Sequence, residues 1–485
     1  MNRLVGLCTW FRILLLGYGV LGSVQVMAQD ARPRYDAMSQ QLVAAFNTEE
    51  PLALYALTSP AYQARMSAAN FSTGTRKFYV QTGYWETVQF REQVPDGMTY
   101  TAKFERETAV LFLQLDETGK ISRFNFKIIP FVSQPKTYRV PSNNPLRTAT
   151  DSLVEKLARP YVQQGPAAGL CLAVLDHGQV RRYSYGETQR GNGQLPDPNT
   201  TIFEIGSVTK TFTTLLLARQ VVRGKMHLKD PVSQYLPDSL PRLAYQTAPI
   251  TLENLANHTS GLPRLPANIY LGKVDPADPY RHYTLDSLYR FLARYQLPAR
   301  PGSQFVYSNL GAGLLGCVLA QHAHRSFDQL IRAQISRPLR MPDTRVELTT
   351  QERARFAQGY NEKGEPTTVW NLATLQGSGA LKSTLRDMVR YTQAQLGQFR
   401  SPLAKAMALT HQATFSSPDN TLGLGWRIAQ RPPQTYWHHS GGTGGGRSFV
   451  GFDPQRQLGV VILSNAALDV TIIGQTILER ERVAK

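Results

Sequence analysis

Cysteine is scarce in this 485-residue chain, with three in all. Cys8 falls in the extreme N-terminal segment, so a shortened chain keeps only Cys171 and Cys317, too few for a disulfide framework. Each of these two stands in an apolar run and reads as a small buried hydrophobe, an inert thiol rather than half of a bridge. Acidic residues are also under-represented, 35 against 53 basic ones, which leaves a formal net charge of +18. No Lys/Arg block of the kind that follows a phosphate backbone accompanies that charge, so nucleic acid is excluded as a partner. Apolar runs of membrane-spanning length are missing: the stretch from Ile13 to Val26 falls short of the roughly 20 residues a span requires, and no later run is longer. A G-x-S-x-G nucleophile elbow is absent, which argues against an α/β-hydrolase. There is no internal repeat and no low-complexity tract.

What is present divides the chain. A basic start at Met1-Asn2-Arg3, the short apolar run and the small-x-small sequence Val26-Met27-Ala28 form a secretory signal peptide over residues 1–28, which predicts an exported protein, periplasmic or secreted by a bacterium. Residues 31–130 change from a helical period (Met38, Leu42, Val43 and Phe46 within Tyr35–Met66) to alternation between Tyr84 and Pro130, with a hairpin signal at Asp116-Glu-Thr-Gly119. That order predicts a small α+β domain, and it resembles accessory domains of the nuclear-transport-factor-2-like type. Residues 131–149, with Pro135, Pro141 and Pro145, read as a linker. Residues 150–485 begin with a helix at Asp151–Val162 and a hairpin around Asp176-His177-Gly178. They end with strands at Leu422–Ile428, Thr435–His439, Phe449–Asp453 and Leu458–Leu463, then a helix at Val470–Glu481. Strands at both ends with helices between them predict one antiparallel sheet made from distant segments, flanking helices and a helical insertion.

Three short motifs in this last region carry chemistry. In Gly206-Ser207-Val-Thr-Lys210 an apolar helix follows the serine, so Lys210 lies one turn on and on the same face. A serine hydroxyl is a poor nucleophile until a base takes its proton, and a neighbouring ammonium helps to hold such a base deprotonated. Ser133-Gln-Pro-Lys136 in the linker has the same spacing, so the pattern alone is weak. It is joined by Tyr307-Ser308-Asn309, the only Tyr-x-Asn among 22 tyrosines, and by His439-Ser440-Gly441, the only His-x-Gly among nine histidines.

In that order the motifs resemble those of the penicillin-recognising serine hydrolases, and tyrosine in the second points to the class C branch. The segments Ile250–Pro263 and Gly377–Asp387 are similar to that family's connecting text. The resemblance spans about residues 150–482 and implies an α/β fold of the β-lactamase/transpeptidase kind with an all-helical subdomain. It also implies a catalytic group of Ser207, Lys210 and Tyr307, substrate contacts at Asn309, His439, Ser440 and Gly441, and an oxyanion hole of the Ser207 and Gly442 backbone N–H groups. No metal or other cofactor enters that scheme. The implied partner is a small-molecule or peptide substrate, with cell-wall peptidoglycan as its source, and no integral membrane segment remains once the signal is cleaved. The implied activity is acyl-enzyme hydrolysis of an amide or ester bond, with a slow-deacylating penicillin-binding or sensor protein and a weak class C-like β-lactamase as alternatives.

The third motif departs from the lysine of dedicated class C enzymes, because no Lys-[Ser/Thr]-Gly occurs anywhere in the chain. Histidine there resembles some D-alanyl-D-alanine carboxypeptidases, D-amino-acid aminopeptidases and esterases. It predicts an activity that titrates near the ordinary histidine pKa of about 6.5. Two other patterns read as structural. Gly441-Gly-Thr-Gly-Gly-Gly446-Arg447-Ser448 approaches a phosphate loop but leads into a strand rather than a helix. His322-Ala-His324 and His438-His439 lack a third ligand at metal spacing.

Overall fold

A computed structural model describes residues 17–480 apart from 49, 83, 105–107, 129–139, 165–166, 272–274, 276–277, 419 and 433, and, among these, side chains from Ala31 onward except at 77, 80, 81, 128, 164 and 270. The start of the expected signal peptide with Cys8, and the linker pair Ser133 and Lys136, lie outside the described residues. The chain divides into two compact units, residues 1–129 and 130–485.

In the first unit a helix Gly17–Phe46 is followed by Pro51–Tyr55, Pro60–Arg65 and Ala68–Thr82. The helical period of Tyr35–Met66 is therefore cut twice, and each new helix starts on a proline, whose fixed φ and missing N–H suit the first turn. Four strands, Trp85–Val94, Gly97–Phe104, Thr108–Leu115 and Ile121–Ile128, pair in sequence order as an antiparallel meander. Alternation along them buries Tyr100, Ala102 and Phe104 on one strand and Ala109, Leu111 and Leu113 on the next. These side chains close on Leu42, Phe46 and the fully buried Trp85, and the Phe46 ring packs edge-on against both Trp85 and Phe104.

The second unit is built on an eight-stranded antiparallel sheet. Its order is Phe415–Ser417, Asn420–Leu422, Arg427–Arg431, Gln434–Gly442, Arg447–Asp453, Leu458–Ser464, Gly169–Asp176 and Gln179–Gly186. The closing strand Leu458–Ser464 pairs directly with Gly169–Asp176, which joins the two ends of the unit as the sequence pattern predicts. The opening hairpin turns through His177 and Gly178, both at positive φ. Helices Ala149–Gln164 and Thr471–Glu479 supply the core that covers one face. Helices Thr209–Val222, Leu285–Arg294, Asn309–His322 and Leu385–Gln395 belong to the middle of the chain. Among the described residues no helix is long and apolar enough to cross a membrane.

One expected strand is corrected. Leu422–Ile428 is two strands separated by a turn, with Gly425 at φ +74° and the Gly423 N–H donating to the Trp426 carbonyl. The turn opens one edge of the sheet. Arg427–Arg431 reaches only as far as His438 on its neighbour, so His439–Gly442 have a strand partner on the Arg447 side alone.

Candidate active site

Ser207 is delivered by the strand Ile202–Glu204, which pairs with Lys382–Thr384 and ends in the tight turn Gly206–Val208 ahead of the helix Thr209–Val222. The strand's end is pinned by Glu204, whose carboxylate accepts from the Trp370 N–H and the Thr443 hydroxyl, both at 2.8 Å. The Ile205 carbonyl accepts from Ser448 Oγ at 2.7 Å, tying the same segment to the neighbouring sheet. Gly206 adopts φ +47°, and a Cβ there would come within 2.5 Å of the Gly442 nitrogen. Glycine is required twice over, by backbone conformation and by the approach of another backbone. That approach sets the turn that carries Ser207 against the Gly442 backbone, with Gly442 exposed and Ser207 partly exposed.

Lys210, one turn into the helix, is buried. Its Nζ donates to Ser207 Oγ at 2.9 Å, to Asn309 Oδ1 at 2.9 Å and to the Ser378 carbonyl at 2.6 Å. Tyr307 also hydrogen-bonds to Lys210, so the three N–H bonds of the ammonium are shared among four partners. Burial drives the Lys210 pKa below its usual value, while Tyr307 pulls it back up. The Lys210 ammonium lies 4.8 Å from the centre of the Tyr307 ring, with the Arg264 guanidinium 5.1 Å from the same centre. Burial raises the Tyr307 pKa, but Lys210, the Ser207 hydroxyl and Arg264 outweigh it, so the phenol is more acidic than an ordinary tyrosine.

The second motif is held from behind. Ser308 caps the helix Asn309–His322 by accepting from the Gly311 N–H, and it donates to the Pro263 carbonyl at 2.7 Å. The Ser308 N–H donates to His258 Nδ1 at 3.2 Å, and the His258 ring faces that of Tyr307 at 4.5 Å. His258 adopts φ +63°, and burial, together with nearby Lys210, holds it neutral with a pKa well below 6.5.

The third motif occupies the end of Gln434–Gly442. His439 and Gly441 fall on one side of the strand and Ser440 on the other. His439 Nδ1 lies 2.8 Å from the Ser440 carbonyl, which can only accept, so Nδ1 carries the proton and Nε2 keeps its lone pair. Burial first and Lys210 second push its pKa down to about 3. This overturns the expected titration near 6.5: His439 is neutral across the working range, because its ring is enclosed beside a fixed cation. Ser440 Oγ meets Thr471 Oγ1 at 2.7 Å, and Thr471 in turn donates to Asp469. The Ser440 proton is therefore committed to Thr471.

The structure thus brings Ser207, Lys210, Tyr307, Asn309 and His439 together and sets Gly441 and Gly442 against the serine turn. Sequence reasoning missed the Ser378 carbonyl, Arg264, His258 and Gly206. Ser378 lies in the Gly377–Asp387 segment already singled out, but a backbone acceptor leaves no mark in side-chain identity. The glycine preceding the serine was the one legible signal. The Gly-rich turn 443–446 leads into the strand Arg447–Asp453, which agrees with its structural reading. His322 ends a helix, and among the described residues no group of three or more His, Cys, Asp or Glu side chains converges. Cys171 and Cys317 are free, and burial pushes both thiols up to about 12.

The Beta-lactamase family model matches residues 154–472. A beta-lactamase of Pseudomonas fluorescens is 29% identical, covering 66% of this chain and 93% of the relative. The D-alanyl-D-alanine-carboxypeptidase/endopeptidase AmpH of Escherichia coli (strain K12) is 32% identical, over 64% of this chain and 83% of the relative. Among solved structures, a class C beta-lactamase superposes with a TM-score of 0.61 at 26% identity, covering 69% of this chain and 97% of the other. A beta-lactamase/D-alanine carboxypeptidase from Pseudomonas syringae gives 0.58 at 26% identity, over 66% and 95%.

Proposed function

Because the chain belongs to the Beta-lactamase family of serine hydrolases, we propose that it is an exported acyl-enzyme hydrolase acting on amide or ester bonds of D-amino-acid peptides and related esters. The observation that carries this reading is the set of contacts around Lys210. Asn309 Oδ1 and the Ser378 carbonyl only accept, which fixes two of the Lys210 N–H bonds, while its other partners, Ser207 and Tyr307, are hydroxyls that also hydrogen-bond to each other and can pass a proton between them. Lys210 keeps its charge next to Tyr307, and Tyr307, made more acidic by that charge, is the group that takes the Ser207 proton.

Ser207 Oγ then bonds to the substrate carbonyl carbon, and the oxygen of that carbonyl becomes an oxyanion between the Ser207 and Gly442 N–H groups. One such fixed donor supplies about 3 kcal/mol of transition-state stabilisation. Collapse breaks the bond to the leaving amine or alkoxide, which receives the proton from Tyr307, and the acyl group stays on Ser207. Water repeats the sequence, losing a proton to Tyr307 as it attacks the ester, and Ser207 regains that proton as the acid departs.

The third motif bears on the substrate class. A lysine there would present a fixed cation, whereas neutral His439 presents a lone pair on Nε2, so recognition at this wall works by hydrogen bonding and shape. That favours peptides and esters over rapid penicillin turnover. The test is a panel of D-alanyl-D-alanine peptides, nitrophenyl esters and a fluorescent penicillin, with mass spectrometry of the trapped adduct. The expected result is turnover of peptide or ester, with slow release of the penicillin label from the peptide containing Ser207. Penicillin hydrolysis faster than that of every peptide and ester would overturn the substrate reading, and an adduct on another residue would overturn the nucleophile.

A further inference from the structure

We propose that the second unit carries a phosphate-binding cavity built from arginine, separate from the Ser207 site. A cavity of about 610 Å³ is lined by Arg332, Ser336, Arg337, Arg340, Arg345 and Arg386, with Met341 and Pro342 beside them and no carboxylate in its wall. None of these residues takes part in the contacts of Ser207, Lys210, Tyr307 or His439. Three of the five guanidiniums are partly neutralised from outside the cavity: Arg332 by Asp328 at 3.8 Å, Arg345 by Glu352 at 3.0 Å, and Arg386 by Asp343 at 2.6 Å and Asp387 at 3.3 Å. Asp343 is shared with Arg355, so its charge is divided. Arg337 and Arg340 are exposed and pair with no carboxylate among the described residues. Arg345 also donates to the Pro342 carbonyl at 3.0 Å. The cavity therefore holds a surplus of positive charge.

The backbone supports a functional reading of the same wall. The chain enters it through a π-helical turn, Arg332–Ser336, an uncommon conformation that concentrates at functional sites. It leaves through Arg340 at φ +57° and ψ +52°, the left-handed region where a helix usually ends on glycine. Guanidinium is a planar fork that matches the spacing of phosphate oxygens, and several forks around one volume suit an anion of charge two or more rather than a single carboxylate. The cavity is large enough for a diphosphate or for the phosphodiester of a headgroup.

The test uses the full chain and titrates inorganic pyrophosphate by calorimetry at low salt, with tricarballylate as a carboxylate control. Binding of pyrophosphate is expected, at least tenfold tighter than tricarballylate. Arg340→Gly and Arg337→Gln should each weaken it about tenfold, and the double variant should abolish it. Glycine at φ +57° is relaxed, so Arg340→Gly should melt no lower than the parent, and acylation of Ser207 by an activated ester should be unchanged in every variant. In a second arm, phosphatidylglycerol and phosphatidylcholine vesicles are tested by flotation. Vesicle binding that needs phosphatidylglycerol and is lost in the double variant, without pyrophosphate binding, supports a lipid-held phosphate as the source. Absence of binding in both arms, equal affinity for tricarballylate, or binding that survives the double substitution would each overturn the proposal.

Discussion

The two units differ in what they bury. Both set helices against an antiparallel sheet, yet among the described residues the first unit buries only hydroxyl-bearing polar side chains (Ser39, Thr58, Ser59, Thr73, Thr82 and Thr99) around an aromatic core. The second buries Lys210, Lys382, Glu204, Asp387, His258, His438 and His439. A buried hydroxyl is satisfied by the nearest carbonyl, as Thr73 and Thr82 are within their own helix, and costs little. A buried ammonium costs several kcal/mol even after relaxation, and is kept only where neighbouring groups offset that cost. The contrast separates a unit held by packing from a unit that accepts an electrostatic burden to place reactive groups. Even within the second unit the burden has two uses. Lys210 faces a reactive hydroxyl, whereas Lys382 donates to the Val346 and Trp370 carbonyls and to Asn371, locking chain segments together.

The contrast can be broken most directly at the nucleophile. Ser207→Ala should abolish covalent labelling and lower turnover by roughly four orders of magnitude or more, read by mass spectrometry and kcat. Labelling that persists would move the chemistry elsewhere. Gly206→Ala forces a Cβ into the Gly442 backbone and should separate the two oxyanion donors, cutting kcat by about 10²- to 10³-fold with a smaller change in KM. In the first unit, Trp85→Ala should cost about 3–5 kcal/mol of that unit's stability, seen as a separate early melting transition, while ester hydrolysis is retained.

A smaller effect concerns pH. Since His439 sits at about 3, any acid limb of kcat/KM above pH 5 belongs to Tyr307, which must lose its proton to act. His439→Gln should leave the limb in place, and His439→Lys, by adding a cation, should move it to lower pH by about one unit. A limb that vanishes in the glutamine variant would return the titration to His439. The smallest expected effect is that of removing the first unit: a fragment of residues 130–485, which keeps Val140 in the core of the second unit, should fold and hydrolyse substrate within about threefold of the whole chain. A folded but inactive fragment would show that the first unit completes the site.

Much of this was readable in the sequence because it was local. The hairpin at His177, the helix that follows Ser207 and the residue types of the three motifs are set by neighbours in the chain, and the union of both ends of the unit in one sheet came from where the apolar runs lie. What escaped was collective. The neutrality of His439 comes from burial of its ring beside Lys210, which no spacing encodes. The Ser378 carbonyl contributes through a backbone atom common to every residue type. The break at Gly425 divided a run that alternation alone read as continuous, and that break leaves the edge of His439–Gly442 without a strand partner.

The way the sheet closes sets a timetable. Gly169 hydrogen-bonds to Asn465, 296 positions further on, and the strand that carries the third motif lies two strands from that seam. Loop closure of this length is paid before any pairing rewards it, and folding slows as contacts become more distant in sequence. A chain emerging N-terminus first therefore cannot complete the sheet, or the pocket at its rim, until the segment Leu458–Asn465 is available. Hydrolytic capacity waits on that long-range closure and not on the appearance of any one of the three motifs.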